Sequence, residues 1–352
     1  MRNNTVDIIR GFAMLLVVLG HAMSGTVREF SDSVLFQAIW TLQMPLFIII
    51  SGYVTRYSHP LINGIGLWKY VKKRTLAYLL PWLVWSIVVR GLILGQTSFL
   101  DLKYMLWHMD SGYWFLITLW TITMIFGMAD LLSNKWFKNK TMNVLSHLSI
   151  SGVGLVGLMA LGYFVGMDFF AIKLTLYYLP IYLMGYFYGQ IQDWLMERKN
   201  AKTIINSVLV LSLGLWLATI NRINFFSGTD NLTMISSRFV ASVLGCIAVT
   251  GLMSGCYIFG RRILNWMGIH TLEIYLTHYL FLSLVPALEH PILASMEGLF
   301  SLLVNFVLTI VLTIVAIRII QGNKLLNYLL YAKQSYVHSS DEAEFIRMNS
   351  VS

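Results

Sequence analysis

The chain has 352 residues, 57% hydrophobic and only 12% charged, with a mean hydropathy of +0.69. Soluble domains carry about twice that charged fraction, so an ordinary water-soluble enzyme is excluded. The net charge of +9 points to nucleic acid only until the cations are placed along the chain, where they follow loop parity instead.

Apolar stretches of about 20 residues, the length that crosses a bilayer, recur from end to end. They predict an all-α polytopic membrane protein with about ten transmembrane helices. The spans are expected near 6–24, 34–55, 75–95, 112–132, 144–163, 174–190, 203–220, 234–258, 268–286 and 296–320. With the N-terminus in the cytoplasm, eighteen Lys and Arg side chains fall in cytoplasmic segments and four outside, while Arg10, Arg90 and Arg238 lie within spans. The positive-inside rule then expects both termini in the cytoplasm. Residues 1–330 are expected to form the integral-membrane domain and 331–352 a polar cytoplasmic tail. Ala22-Met23-Ser24 loosely fits a cleavage site, but Asp7 and Arg10 make a poor signal-peptide charge region, so the first span is expected to be retained.

The first span carries ionisable groups. Arg10 and His21 are eleven residues apart, about three helical turns, so they share a face roughly 16 Å apart along the axis. Asp7 lies on the same face. Arg10 alone also fits a headgroup anchor, and His21 alone fits an interfacial ring bonded to a carbonyl. Their shared face favours a site, because an ionisable residue within a span must be compensated inside the protein.

In the second span Pro45 removes a helical hydrogen bond, Ser51 and Gly52 permit close backbone approach, and Ser51 with Tyr53 offers polar groups to a cavity. At the mouth of the third span stand Lys69, Lys72, Lys73 and Arg74. As a charge count these cations serve topology; the functional alternative is an anion site in which arginine adds a bidentate fork. Gly112-Tyr113-Trp114-Phe115 opens the fourth span just after His108 and Asp110, as an aromatic belt or a cavity wall. In the ninth span Glu273 and His278 are expensive in lipid and are expected to face the bundle interior. Cys246 and Cys256 sit roughly 15 Å apart on one predicted helix, too far for a disulfide, and no spacing suggests zinc.

Together these pieces resemble the membrane-bound acyltransferase family three, in particular its fucose 4-O-acetylase-like branch. The resemblance rests on Asp7-x-x-Arg10-Gly11 with His21, Met44-Pro45-Leu46-Phe47 running into Ser51-Gly52-Tyr53, and the basic stretch before Leu79-Leu80-Pro81. Trp114-Phe115-Leu116 and Thr271-Leu272-Glu273-Ile274-Tyr275-Leu276-Thr277-His278 complete it. It implies ten core helices in a bacterial inner membrane and O-acetylation of a glycan or lipid-linked sugar from acetyl-CoA. It also implies an essential His21 and an Arg10 that helps hold the donor. Many members carry two arginines three apart at the third span, whereas here Arg74 is followed by Ala77, with Lys72 and Lys73 matching in charge but not in planar geometry.

Acetyl-CoA phosphates are expected on Arg10, Lys72, Lys73 and Arg74, the thioester near His21 as general base, and Asp7 pairing Arg10. Ser51, Tyr53, Trp114, Glu273 and His278 are expected as supporting or cavity-lining groups. No metal and no nucleic acid is expected, and homo-oligomerisation is left open. Many relatives carry an extra extracytoplasmic domain. This chain ends soon after the last span, so it is expected to act unaided or with a separate partner. The rival reading is a transporter or flippase for an anionic lipid-linked saccharide. Such folds show paired discontinuous helices in related halves, a symmetry the sequence lacks.

Overall fold

Hydrophobic runs without strand alternation become helices. The computed structural model describes residues 3–109, 112–223, 231–255, 260–282 and 292–333. Among these residues no strand occurs, only an isolated bridge between Arg28 and Ile292. Among the described residues nine helices are long and apolar enough to cross a membrane, which makes this a multi-pass all-α membrane protein. They are α1 (Asn4–Thr26), α2 (Val34–Tyr53) and α3 (Gly64–Leu83), the last prolonged by the π-helical Val84–Ile93. After the short α4 (Leu102–Trp107) come α5 (Trp114–Trp136), α6 (Lys140–Val165), α7 (Ile172–Met196), α8 (Ala201–Arg222) and α9 (Leu232–Gly255). Two short helices, α10 (Arg261–Ile269) and α11 (Thr271–Thr277), precede the last long one, α12 (Met296–Gln321), and the terminal α13 (Lys324–Tyr331).

Three elements differ from the sequence expectation. The stretch at 268–286 is not one helix. The backbone leaves helical geometry at His270 (φ −107, ψ 25), whose ring Nδ1 lies 2.9 Å from the Trp266 carbonyl. That contact competes with the helical ladder and separates α10 from α11. The end of this predicted span, 283–286, lies outside the described residues, as do Asp110, Cys256 and the tail from 334. Next, α3 starts at Gly64, capped by the Asn63 side chain, so Lys69, Lys72, Lys73 and Arg74 ride on a helix rather than precede it. Finally, the short sixth span is a full 25-residue α7 that continues through Pro180.

Two glycine crossings set the centre. A Cβ on Gly11 of α1 would overlap the Leu264 carbonyl of α10, and one on Gly268 would overlap the Asp7 carbonyl. Gly52 of α2 and Gly185 of α7 meet the carbonyls of Tyr182 and Ile49 in the same reciprocal way. Small residues allow such backbone approach where lipid supplies no hydrophobic drive between helices. Consequently α1 is an interior helix, 72% buried over its most apolar window, whereas α6 is 11% buried and peripheral. The first crossing also clamps α10 and α11 onto α1, which fixes what stands beside His21.

Candidate active site

His21 is half-buried near the C-terminal end of α1. The turn after α11 brings Tyr279 to it, with the phenol oxygen 2.8 Å from His21 Nε2. The His278 ring follows, its centroid 5.3 Å from that of His21. His278 is fully buried, and its Nδ1 sits 2.8 Å from the Ile274 carbonyl. A carbonyl only accepts, so Nδ1 carries the hydrogen and Nε2 keeps a lone pair. That Nε2 is buried with no hydrogen-bond partner among the described residues. Beside the His21–Tyr279 pair opens a cavity of about 220 Å³, walled by Trp40, Gln43, Trp114, Tyr275 and the pair itself.

The walls are held by long-range hydrogen bonds. Tyr113, just before α5, donates its hydroxyl to the Leu276 carbonyl at 3.2 Å, and Phe115 N–H donates to the Tyr275 hydroxyl at 3.4 Å. The first N–H groups of a helix have no partner within it, and here a phenol from α11 supplies one. Trp114 stacks on Tyr178 at 5.6 Å and 18°. Asn305 of α12 donates to Thr26 Oγ1 at 2.6 Å and to the Leu282 carbonyl at 3.2 Å, closing this end of the bundle.

At the opposite end of α1, Asp7 is 3% exposed and its Oδ1 lies 4.0 Å from Arg10 Nη1. Arg74 donates Nη1–H to the Tyr78 hydroxyl at 3.2 Å and lies 5.2 Å from the Tyr70 ring centroid, while Lys72 and Lys73 are exposed. Arg10 rides on α1, packed mainly against α10, α2 and α12. Arg74 rides on α3, packed mainly against α5 and α13. Helix packing therefore does not itself join Arg10 to the α3 cations.

Of the residues singled out in the sequence, His21, His278 and Trp114 come together. Ser51, Tyr53 and Glu273 do not reach that cavity. Ser51 donates to the Phe47 carbonyl at 2.7 Å, satisfied within its own helix. Tyr53 donates to Gln192 Oε1 at 2.7 Å, which Arg56 also bonds at 2.6 Å while holding Asp193 at 2.7 Å. Glu273 is fully buried and accepts from Lys333 Nζ and, at 3.4 Å, from Gln321 Nε2. Its charge is matched by the C-terminal segment.

Sequence reasoning missed Tyr279, Tyr275, Trp40 and Gln43. Tyr279 adjoins His278 and was within reach of the same motif. Gln43 is an amide in an apolar run, on one helix face with Trp40 and Phe47, three and four residues away. Two of the arginines noted within spans stand among aromatic rings. Arg238 lies 5.5 Å from the Trp40 centroid and Arg90 lies 3.9 Å from that of Phe99.

A family model described as an acyltransferase domain, that of acyltransferase family 3, matches residues 3–320. The chain is 25% identical over 230 residues to the nodulation protein NolL of Sinorhizobium fredii, covering 61% of this chain and 55% of that protein. It is 25% identical over 205 residues to NolL of Mesorhizobium japonicum, covering 55% and 49%. The chain thus spans about half the length of the curated relatives it matches. No solved structure matches it. Because the matched region spans nearly the whole chain, the chain belongs to acyltransferase family 3, and its apolar helices make it a multi-pass membrane protein.

Proposed function

We propose that this protein moves an acetyl group from cytoplasmic acetyl-CoA to a hydroxyl of an extracytoplasmic cell-surface glycan or lipid-linked sugar, in a bacterial inner membrane. The observation that carries the reading is the His21–Tyr279 pair at 2.8 Å beside a cavity within the matched region. An imidazole whose one nitrogen is fixed by a phenol is the arrangement a general base requires.

The Arg10 end is the CoA end in this reading, with Arg10, Lys72, Lys73 and Arg74 as the cations for its phosphates. Lys72 and Lys73 are exposed and act by charge, whereas Arg74 is already turned toward Tyr78 and Tyr70. The roughly three turns between Arg10 and His21 suit the narrow pantetheine arm. At the far end His21 Nε2–H donates to Tyr279, which leaves Nδ1 with the lone pair. Nδ1 takes the proton of the acceptor hydroxyl as its oxygen attacks the thioester carbonyl. The C–S bond breaks, and the CoA thiolate receives that proton from His21. The Tyr279 hydroxyl hydrogen is then free to donate to the oxyanion that develops at the carbonyl.

The test is acetyl transfer to purified host glycan by the full chain in liposomes, with His21→Ala alongside. General-base removal lowers turnover by about 10²–10⁴-fold. A folded His21→Ala that keeps near wild-type turnover overturns the assignment.

A further inference from the structure

The cavity contains a polar atom that the catalytic reading leaves idle. Gln43 Oε1 is buried and has no hydrogen-bond partner among the described residues. It leans against Gly20, where an added Cβ would come within 3.0 Å of it. The residue before His21 therefore has no side chain at the point where the Gln43 amide sits. Neighbouring hydroxyls are engaged elsewhere. Ser24 donates to the His21 carbonyl at 3.0 Å, and Tyr279 pairs with the His21 ring. An interior amide oxygen left bare carries a desolvation penalty that a ligand donor removes. Whichever way round the amide sits, a hydroxyl satisfies it, because a hydroxyl both donates and accepts.

Two indoles, Trp40 and Trp114, line the same space. Flat apolar faces beside a single amide suit a sugar ring, which presents C–H faces and hydroxyl edges. CoA phosphates call for cations, and no Lys or Arg among the described residues lines this cavity, Arg238 lying against the Trp40 ring without lining it. We infer that this cavity is the acceptor subsite. Trp40 and Trp114 flank a pyranose, and Gln43 bonds the hydroxyl adjacent to the one acylated. The inference rests on the proposed transfer to a glycan hydroxyl and names the residue that selects the acceptor. Gln43 is thereby a specificity residue for a vicinal diol.

Its test needs no turnover. Saturation-transfer NMR of the purified full chain is run with methyl glycosides of the gluco, galacto, manno and fuco series, and with the deoxy analogues of whichever binds. Gln43→Met keeps the side-chain length and removes both polar atoms. We expect Gln43→Met to weaken the bound glycoside about tenfold, an effect of about 1.4 kcal/mol. One deoxy analogue should lose the same factor on wild type and nothing further on the variant. Acetyl-CoA affinity by calorimetry should not move. Three outcomes overturn the inference: no glycoside binds wild type, the variant binds glycosides as wild type does, or acetyl-CoA affinity alone falls. The catalytic reading is judged separately, by transfer with His21→Ala, so either can fail without the other.

Discussion

Between His21 and Tyr279 a single hydrogen bond of 2.8 Å constrains the tilt of the imidazole and, in the proposed reaction, leaves Nδ1 to take the acceptor proton. Tyr279→Phe keeps the ring and removes the bond. A net hydrogen bond of about 0.5–1.5 kcal/mol corresponds to a fall in kcat of roughly two- to tenfold. The KM for acetyl-CoA should stay fixed, since the phenol lies at the cavity rather than among the cations. Steady-state kinetics on the purified variant reads this, and an unchanged kcat removes Tyr279 from the mechanism. At the other end of α1, Arg10→Ala should weaken acetyl-CoA binding at least tenfold by calorimetry. Unchanged affinity would show that Arg10 only pairs Asp7. The two residues of α1 were legible because helical periodicity is a local property. Tyr279 stood within the His278 motif, but its pairing with His21 could not be read, because the two lie 258 residues apart in sequence and only the folded backbone joins them. For the same reason Ser51, Tyr53 and Glu273 looked like cavity groups: a polar residue in an apolar run announces that it needs a partner, not which one.

Helix existence could be read from hydropathy, and helix ends could not. The window that detects a lipid-length run passes over Gly64–Arg74 because lysines dilute it, yet Asn63 caps a helix there all the same. It also fuses α10 with α11, since the break at His270 comes from a side chain bonding backward and not from a change in hydropathy. Nor does hydropathy tell an interior glycine from an idle one, although the two make opposite demands. Gly268→Ala places a methyl group against the Asp7 carbonyl, in a crossing with no slack on either side. Overpacking of this kind destabilises by about 1–3 kcal/mol. Gly214, in the middle of α8, has nothing within 4 Å of an added Cβ. Gly214→Ala should therefore be neutral or slightly stabilising, as alanine favours helix. Thermal unfolding of both variants in detergent, followed by size-exclusion chromatography, checks the contrast. Equal midpoints would mean that the α1–α10 crossing is not tight.

Taken whole, the bundle is tied across its length by its last described turn. Trp85 donates Nε1–H to the Leu330 carbonyl at 2.9 Å, the Tyr331 and Trp85 rings stack at 6.4 Å, and the Tyr331 hydroxyl meets Thr277 Oγ1 at 2.7 Å. The segment around α13 thus grips both the π-helical prolongation of α3 and α11, the element that delivers His278 and Tyr279 to His21. The Glu273–Lys333 pair completes this grip, and its partners are unequal: the carboxylate is fully buried, whereas the Lys333 side chain is 40% exposed. Breaking such a pair is asymmetric, because the harm comes from the charge left behind in a poor solvent. Lys333→Ala strands a buried carboxylate with, among the described residues, only the 3.4 Å contact from Gln321. Glu273→Gln removes the buried charge, keeps an acceptor for Gln321, and leaves a lysine that reaches water. Lys333→Ala should therefore lower the unfolding midpoint more than Glu273→Gln does, and, if the proposed function holds, it should reduce acetyl transfer by loosening α11 beneath the His21–Tyr279 pair. Thermal unfolding and transfer assays on the two variants decide this. If Glu273→Gln proves the more damaging, the carboxylate does more than anchor the segment around Lys333, and its place outside the candidate site must be revised.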